Sequence, residues 1–190
     1  MNDFNINAST HKSSVVEFEV PQASLWSPDS PYLYRLTTTL YNSNKKSDEQ
    51  TINVGFRTIE VTAEGMKLNG KPIFLRGVNR HQEYPYVGYA ISNEAQWRDA
   101  YSIKRAGFDY VRCSHYPQSP AFFDACDSLG ILCLDAILGW QYFGDSLFEK
   151  HAIESSHELI RRDRNHPSIL AWELSINETR MPKSFVGAVS

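Results

Sequence analysis

The sequence predicts an α/β fold of about four strand–helix repeats, with an all-β segment in front of them. Two observations carry that reading. From Ile73 onward, short apolar runs alternate with longer helical stretches whose ends are marked by capping residues and glycines. Before residue 60, apolar residues alternate singly with polar ones, the period of a half-buried strand. A third observation selects the architecture. No strand-to-helix junction carries the glycine fingerprint of a dinucleotide-binding sheet, which favours a (β/α) barrel over a doubly wound sheet.

The elements follow in order. Val16, Phe18 and Val20 alternate with Glu17 and Glu19 and predict a first strand, ended by Pro21. Residues 26–31 are rich in turn formers. Tyr34, Leu36, Thr38 and Leu40 predict a second strand, residues 42–48 a polar loop, and Ile52, Val54 and Phe56 a third strand. Three strands are too few to close a sandwich, so this region is expected to be part of a larger one. Asn69-Gly70 is a strong hairpin signal. A buried strand is expected over 73–78. Ser92 caps a helix that reaches Ala106 and stops at Gly107. A strand over 109–113 leads to a helix capped by Ser119, opened by Pro120 and ended by Gly130. Strands over 131–134 and 168–176 flank a third helix over 146–164. The boundary falls at residue 60: residues 1–60 form the β region. Residues 61–190 form the first half of a barrel, since a whole one takes ~250 residues.

Composition narrows the function. The 190 residues are 42% hydrophobic and 13% aromatic, enough to bury a core. The net charge of −3 gives no reason to expect a nucleic-acid or membrane-surface partner. Arg161, Arg162 and Arg164 form one basic cluster, which suits the last turn of a helix. Three cysteines without CxxC spacing exclude a complete disulfide framework, and Cys113 and Cys133 sit in apolar runs. Residues 1–10 are polar and do not form a signal peptide. No apolar run reaches the ~18 residues of a membrane span, so the chain is expected to be soluble.

The candidate chemistry collects at one end of the repeats. The four expected barrel strands end in Asn79-Arg80-His81, in Arg112 to His115, in Asp135 followed by Trp140 and Gln141, and in Asn177-Glu178. A lone polar group after a strand is weak evidence. Four consecutive strands that each deliver polar groups to the same end are much stronger evidence, because that end holds the active site in barrel enzymes.

These residues also resemble a known family. Gly55-Phe56-Arg57, Leu68-Asn69-Gly70-Lys71-Pro72, Arg76-Gly77-Val78-Asn79-Arg80-His81, Arg112-Cys113-Ser114-His115-Tyr116-Pro117 and Arg164-Asn165-His166-Pro167 through Asn177-Glu178 appear in the order found in glycoside hydrolase family 2. That family includes β-galactosidases, β-glucuronidases and β-mannosidases. The resemblance covers essentially the whole chain. It implies that residues 1–60 are the closing strands of an immunoglobulin-like sandwich and that the barrel is of the TIM type. It implies a retaining exo-β-glycosidase, first of all a β-galactosidase, with a carbohydrate substrate. By position, Glu178 is the general acid/base, and Asn177 binds the sugar 2-hydroxyl. His115 and Arg112 lie in the sugar subsite, with His81, Asn79, Asp135 and Trp140 as further substrate-binding candidates. The family's nucleophile is a glutamate on a later strand, which these 190 residues do not reach. The motif after strand three that serves a magnesium ion is missing, so neither a metal site nor a cofactor is expected.

Strand parity sharpens the acid/base assignment. Alternation puts Glu173, Ser175 and Asn177 on one face and Trp172, Leu174 and Ile176 on the other. If the apolar face meets the helices, Asn177 points inward and Glu178 reaches the site only where a bulge or the strand end turns it. Glu173 is the rival carboxylate, expected to be structural and paired with an arginine. Tyr84 and Tyr86 are open to two readings, sugar stacking or loop anchoring, while His166 is expected as a helix-end group. Two other functions stay open: a non-catalytic carbohydrate-binding domain, and a complementing piece that associates with the other half of a barrel or with itself.

Overall fold

The computed structural model describes residues 6–189. Strands β1 (Tyr34–Asn42) and β2 (Lys45–Val54) form an antiparallel ribbon, with Tyr34 opposite Val54 and Asn42 opposite Lys45. The polar loop expected over 42–48 shrinks to a turn at Ser43 and Asn44, with Ser43 left-handed at φ 53°. Polar cross-strand pairs carry the ribbon instead. The Thr37 and Thr51 hydroxyls lie 2.9 Å apart, and Thr39 Oγ1 donates to Glu49 Oε2 at 3.0 Å. The strand expected over 16–20 does not form. Val16 and Phe18 are exposed, and among the described residues no strand lies beside them to take up their backbone hydrogen bonds.

Strands β3 (Ile59–Thr62), β4 (Gly65–Leu68) and β5 (Lys71–Pro72) form a small antiparallel sheet. The hairpin turn is where Asn69-Gly70 places it, with φ of 52° and 75° as a two-residue primed turn requires. Asn69 is also a fastener. Its Oδ1 accepts the Thr58 N–H at 2.9 Å, and its Nδ2 donates to the Trp26 carbonyl at 3.0 Å.

The third sheet is parallel, in the order β6 (Gly77–Arg80), β7 (Tyr110–Cys113), β8 (Leu132–Ala136), β9 (Ile169–Glu173). Helices α1 (Asn93–Arg105), α2 (Pro120–Leu129) and α3 (Ser146–Asp163) make the crossovers, and α4 (Lys183–Val189) follows. Sequential parallel strands joined by helices make the wall of a barrel. The first strand begins later than expected. Ile73 N–H still bonds Met66 of the hairpin at 3.0 Å, so residues 73–76 cross from one sheet to the next. Helix ends fall where local chemistry sets them. Ser92 Oγ accepts from Ala95 N–H at 3.3 Å, and Asp145 Oδ1 accepts from Leu147 and Phe148 at 3.1 and 3.0 Å. Gly130 ends α2 at φ 71°, and a Cβ there would lie 2.4 Å from the Pro28 carbonyl oxygen. Two requirements, handedness and close approach, therefore fall on one residue.

The main core lies between β7, β8, β9 and helix α2: Val111, Cys113, Phe122, Phe123, Cys126, Ile131, Cys133 and Ile169. All three cysteines are buried free thiols. The N-terminal end of this sheet is fastened to the first 60 residues. Trp26 is fully buried and its Nε1 donates to the Asp127 carbonyl at 2.7 Å. The Arg57 guanidinium donates to the carbonyls of Pro167 and Ile169. Lys104 Nζ bonds the Pro28 and Gly130 carbonyls at 3.1 and 2.7 Å. His166 belongs to this end. Its Nδ1 meets Asp127 Oδ2 at 2.6 Å, while Asp127 Oδ1 accepts the Ser168 N–H at 3.0 Å. Among the described residues, no helix is long and apolar enough to cross a membrane.

Candidate active site

The C-terminal ends of the parallel strands converge on an arc of polar and aromatic side chains. Register sets its lower row. Asn79 pairs with Arg112, and Arg112 with Leu134, so these three share one face of the sheet. Arg112 organises the level above. Its Nε donates to Glu173 Oε2 at 2.8 Å, and its Nη2 donates both to Glu173 Oε1 and, at 3.1 Å, to Asn177 Oδ1. The guanidinium therefore uses its forked donors to hold an in-pointing carboxylate and to aim an amide. Glu173, the rival acid, is a paired group here.

The upper rim is aromatic. The rings of His81 and His115 are 5.8 Å apart, and those of His115 and Trp140 are also 5.8 Å apart. Burial, and next to it the Arg112 charge, lower the pKa of His115, which favours a neutral imidazole. Its Nδ1 is buried without a hydrogen-bond partner among the described residues.

Glu178 stands apart from the pair below it. β9 ends at Glu173, yet Asn177 returns to the sheet by a parallel bridge to Trp140. On the opposite face, Ile176 is buried with Ile137, Leu159 and Phe185. The apolar face thus meets the helices as parity requires, and Glu178 turns out at φ 54°. Its Oε2 accepts from Gln141 Nε2 at 2.6 Å and from Trp140 Nε1 at 3.2 Å. These two donors, Gln141 first, lower its pKa. Its side chain is exposed.

The structure brings together Glu178, Asn177, Arg112, His115, His81 and Trp140, with Asn79 at the base of the row. It does not bring Asp135 to them, which corrects the sequence expectation. Leu134 takes the inward position beside Arg112, so Asp135 falls on the helix side of the sheet, fully buried. Burial, and then the neighbouring Asp163 carboxyl, push its pKa up to about 8. Tyr84 is a loop anchor, donating to Asp99 Oδ1 at 2.6 Å, whereas Tyr86 is fully exposed. Gln141 was in view in the sequence only as the residue after Trp140. Its contact with Glu178 depends on two distant segments running side by side, which no local pattern signals.

A four-strand parallel wall with a carboxylate, an amide, an arginine and two histidines at the C-terminal strand ends has the layout of one side of a (β/α) barrel, with polar groups at the face where barrel enzymes keep their active sites. The chain belongs to glycosyl hydrolase family 2: the TIM barrel domain of that family matches residues 59–187, and a second family 2 domain matches residues 2–57. A β-galactosidase of Thermoanaerobacter pseudethanolicus is 43% identical over 170 residues, covering 88% of this chain and 23% of the relative. A protein of Formosa agariphila described as a putative β-glucuronidase is 39% identical over 171 residues, covering 86% and 16%. Among solved structures, the FMN-binding β-glucuronidase of Facaelibacterium prausnitzii L2-6 is similar with a TM-score of 0.81 at 38% identity, covering 89% of this chain and 27% of that one. The chain thus spans about a quarter or less of the length of these proteins.

Proposed function

We propose that this chain carries the acid/base side of the active site of a retaining exo-β-glycosidase that acts on terminal β-galactosides. One observation carries the reading: of the two carboxylates that β9 and the residues after it supply, Glu173 is paired through both oxygens with Arg112, while Glu178 stands exposed beside the amide of Asn177. In this reading Glu178 protonates the departing glycosidic oxygen as the C1–O bond breaks and an ionised carboxylate attacks C1. In the second step Glu178 takes a proton from the water that displaces that carboxylate. Asn177, aimed by Arg112, holds the 2-hydroxyl.

The attacking carboxylate must lie ~5–5.5 Å from Glu178 in a retaining site. Glu173 is instead held through both oxygens by Arg112. Such a neighbour would also raise the pKa of Glu178, which here favours the ionised form, and so fit it for the acid step. The purified chain is therefore expected to give no turnover of 4-nitrophenyl β-galactoside. Turnover that Glu178→Gln abolishes would sink the need for a further carboxylate. Turnover that Glu178→Gln leaves intact would remove Glu178 from the chemistry. Similarity to the β-glucuronidases supports a second reading, a β-glucuronide substrate. Calorimetry with galactose and with glucuronate separates the two.

A further inference from the structure

The loop after β8 does not leave the sheet where β8 ends. Ile137 N–H bonds the Glu173 carbonyl at 3.1 Å, and four residues on, Gln141 N–H bonds the Asn177 carbonyl at 2.9 Å. The second of these contacts belongs to the parallel Trp140–Asn177 bridge. Residues 137–141 and 173–177 thus run side by side in a fixed register, beyond the last residue of either strand. Gly139 makes this possible. It has φ 149°, and a Cβ there would lie 2.9 Å from Ile176. Gln141 and Glu178 are both left-handed, at φ 56° and 54°, at the end of the paired segments. The two side chains meet there, and Trp140 closes the same oxygen from the other side.

We propose that Gln141 is a positioning residue for Glu178, holding Oε2 as a hydrogen-bond acceptor until the oxygen of a bound sugar or water displaces the amide. The inference rests on the reading of Glu178 as the acid/base group. It adds that the carboxylate is not free to rotate between turnovers. Of the other groups facing Glu178, Trp140 Nε1 donates to the same oxygen at a longer 3.2 Å and His115 is a lesser influence, while Arg112 is engaged by Glu173 and Asn177.

The test is a carbon-13 NMR titration of this chain carrying labelled glutamate, with Glu178 assigned by the signal lost in Glu178→Gln. Gln141→Leu should raise the Glu178 titration midpoint above that of the wild type, and Gln141→Glu should raise it further by adding a like charge. Gly139→Ala, which leaves both side chains intact but spoils the register, should raise it as Gln141→Leu does. A midpoint unchanged in both Gln141→Leu and Gln141→Glu, with the chain still folded by circular dichroism, overturns the proposal. The acid/base reading is judged separately, by how turnover of Glu178→Gln depends on the leaving group once an attacking carboxylate is supplied, so the two can fail independently.

Discussion

The two ends of the parallel sheet are built on opposite principles. At the N-terminal end, polar groups are buried and, apart from the Ser168 hydroxyl, paired. Asp127 spends one carboxylate oxygen on Ser168 N–H and the other on His166, and Trp26 is buried with its N–H satisfied. At the C-terminal end, Arg80 is buried on Gln96, Asp99 and Gln118, but the rim above it is held in aimed, replaceable contacts. Glu178 is exposed, His115 Nδ1 has no partner among the described residues, and backbone turns at Gln141 and Glu178 are left-handed. The contrast shows where folding free energy is gained and where groups are kept available for a ligand.

Substitutions can break that contrast. The largest loss is expected for Trp26→Ala, about 3–5 kcal/mol, because it empties a filled site and orphans the Asp127 carbonyl. Urea denaturation measures it, with Glu178→Ala as the control that should stay within about 0.5 kcal/mol. A control as damaging as Trp26→Ala would erase the distinction between the two ends.

Asp127→Ala should cost roughly 1.5–3 kcal/mol through its charged hydrogen bonds. That cost should depend on pH. Burial pulls the His166 pKa down, but the hydrogen bond and charge of Asp127 outweigh it, so His166 is raised above its ordinary value. A raised histidine contributes stability that is fully present below ~6.5 and is lost as pH rises through the folded value. Asp127→Ala should therefore cost more at pH 5.5 than at pH 8.5. A cost independent of pH would show that His166 is neutral in the fold.

The smallest of these effects sits between the two ends. Asp135 is raised to about 8, so the folded state favours its protonated form. Its contribution is present below the ordinary ~3.9 and is lost as pH rises through about 8. Asp135→Asn should flatten the decline in stability over that window and gain about 1 kcal/mol at pH 8.5. A steeper decline in the variant would mean that the buried carboxylate is ionised and stabilised by Arg162.

Much of this was legible in the sequence where the cause is local. Ser92, Pro120 and Gly130 fix helix ends because caps and turns involve neighbours in the chain. Asn69-Gly70 fixed its hairpin for the same reason. What the sequence hid depends on partners far along the chain. Residues 16–20 alternate like a strand, but among the described residues no strand lies beside them. Residues 45–48 look like a loop because neither face of the ribbon is buried. Asp135 ends a strand like a site residue, yet the register with Arg112 turns it to the helices. Parity foresaw that Glu178 needs a turned backbone, but not that Gln141 would meet it there.

The fastening of the first 60 residues has a consequence for biosynthesis. Trp26 meets Asp127 across 101 positions, and Arg57 meets Pro167 and Ile169 across 110 and 112. At ~5–20 residues per second, the ribosome needs roughly 5–20 s after making Arg57 before its acceptors exist. During that interval the early segment must wait with its tryptophan and arginine unsatisfied, while helices α1 and α2 can already form from their own neighbours. The clasp thus waits until residues 127–169 have been made, and until then an early segment without its acceptors is the species that chaperones would meet.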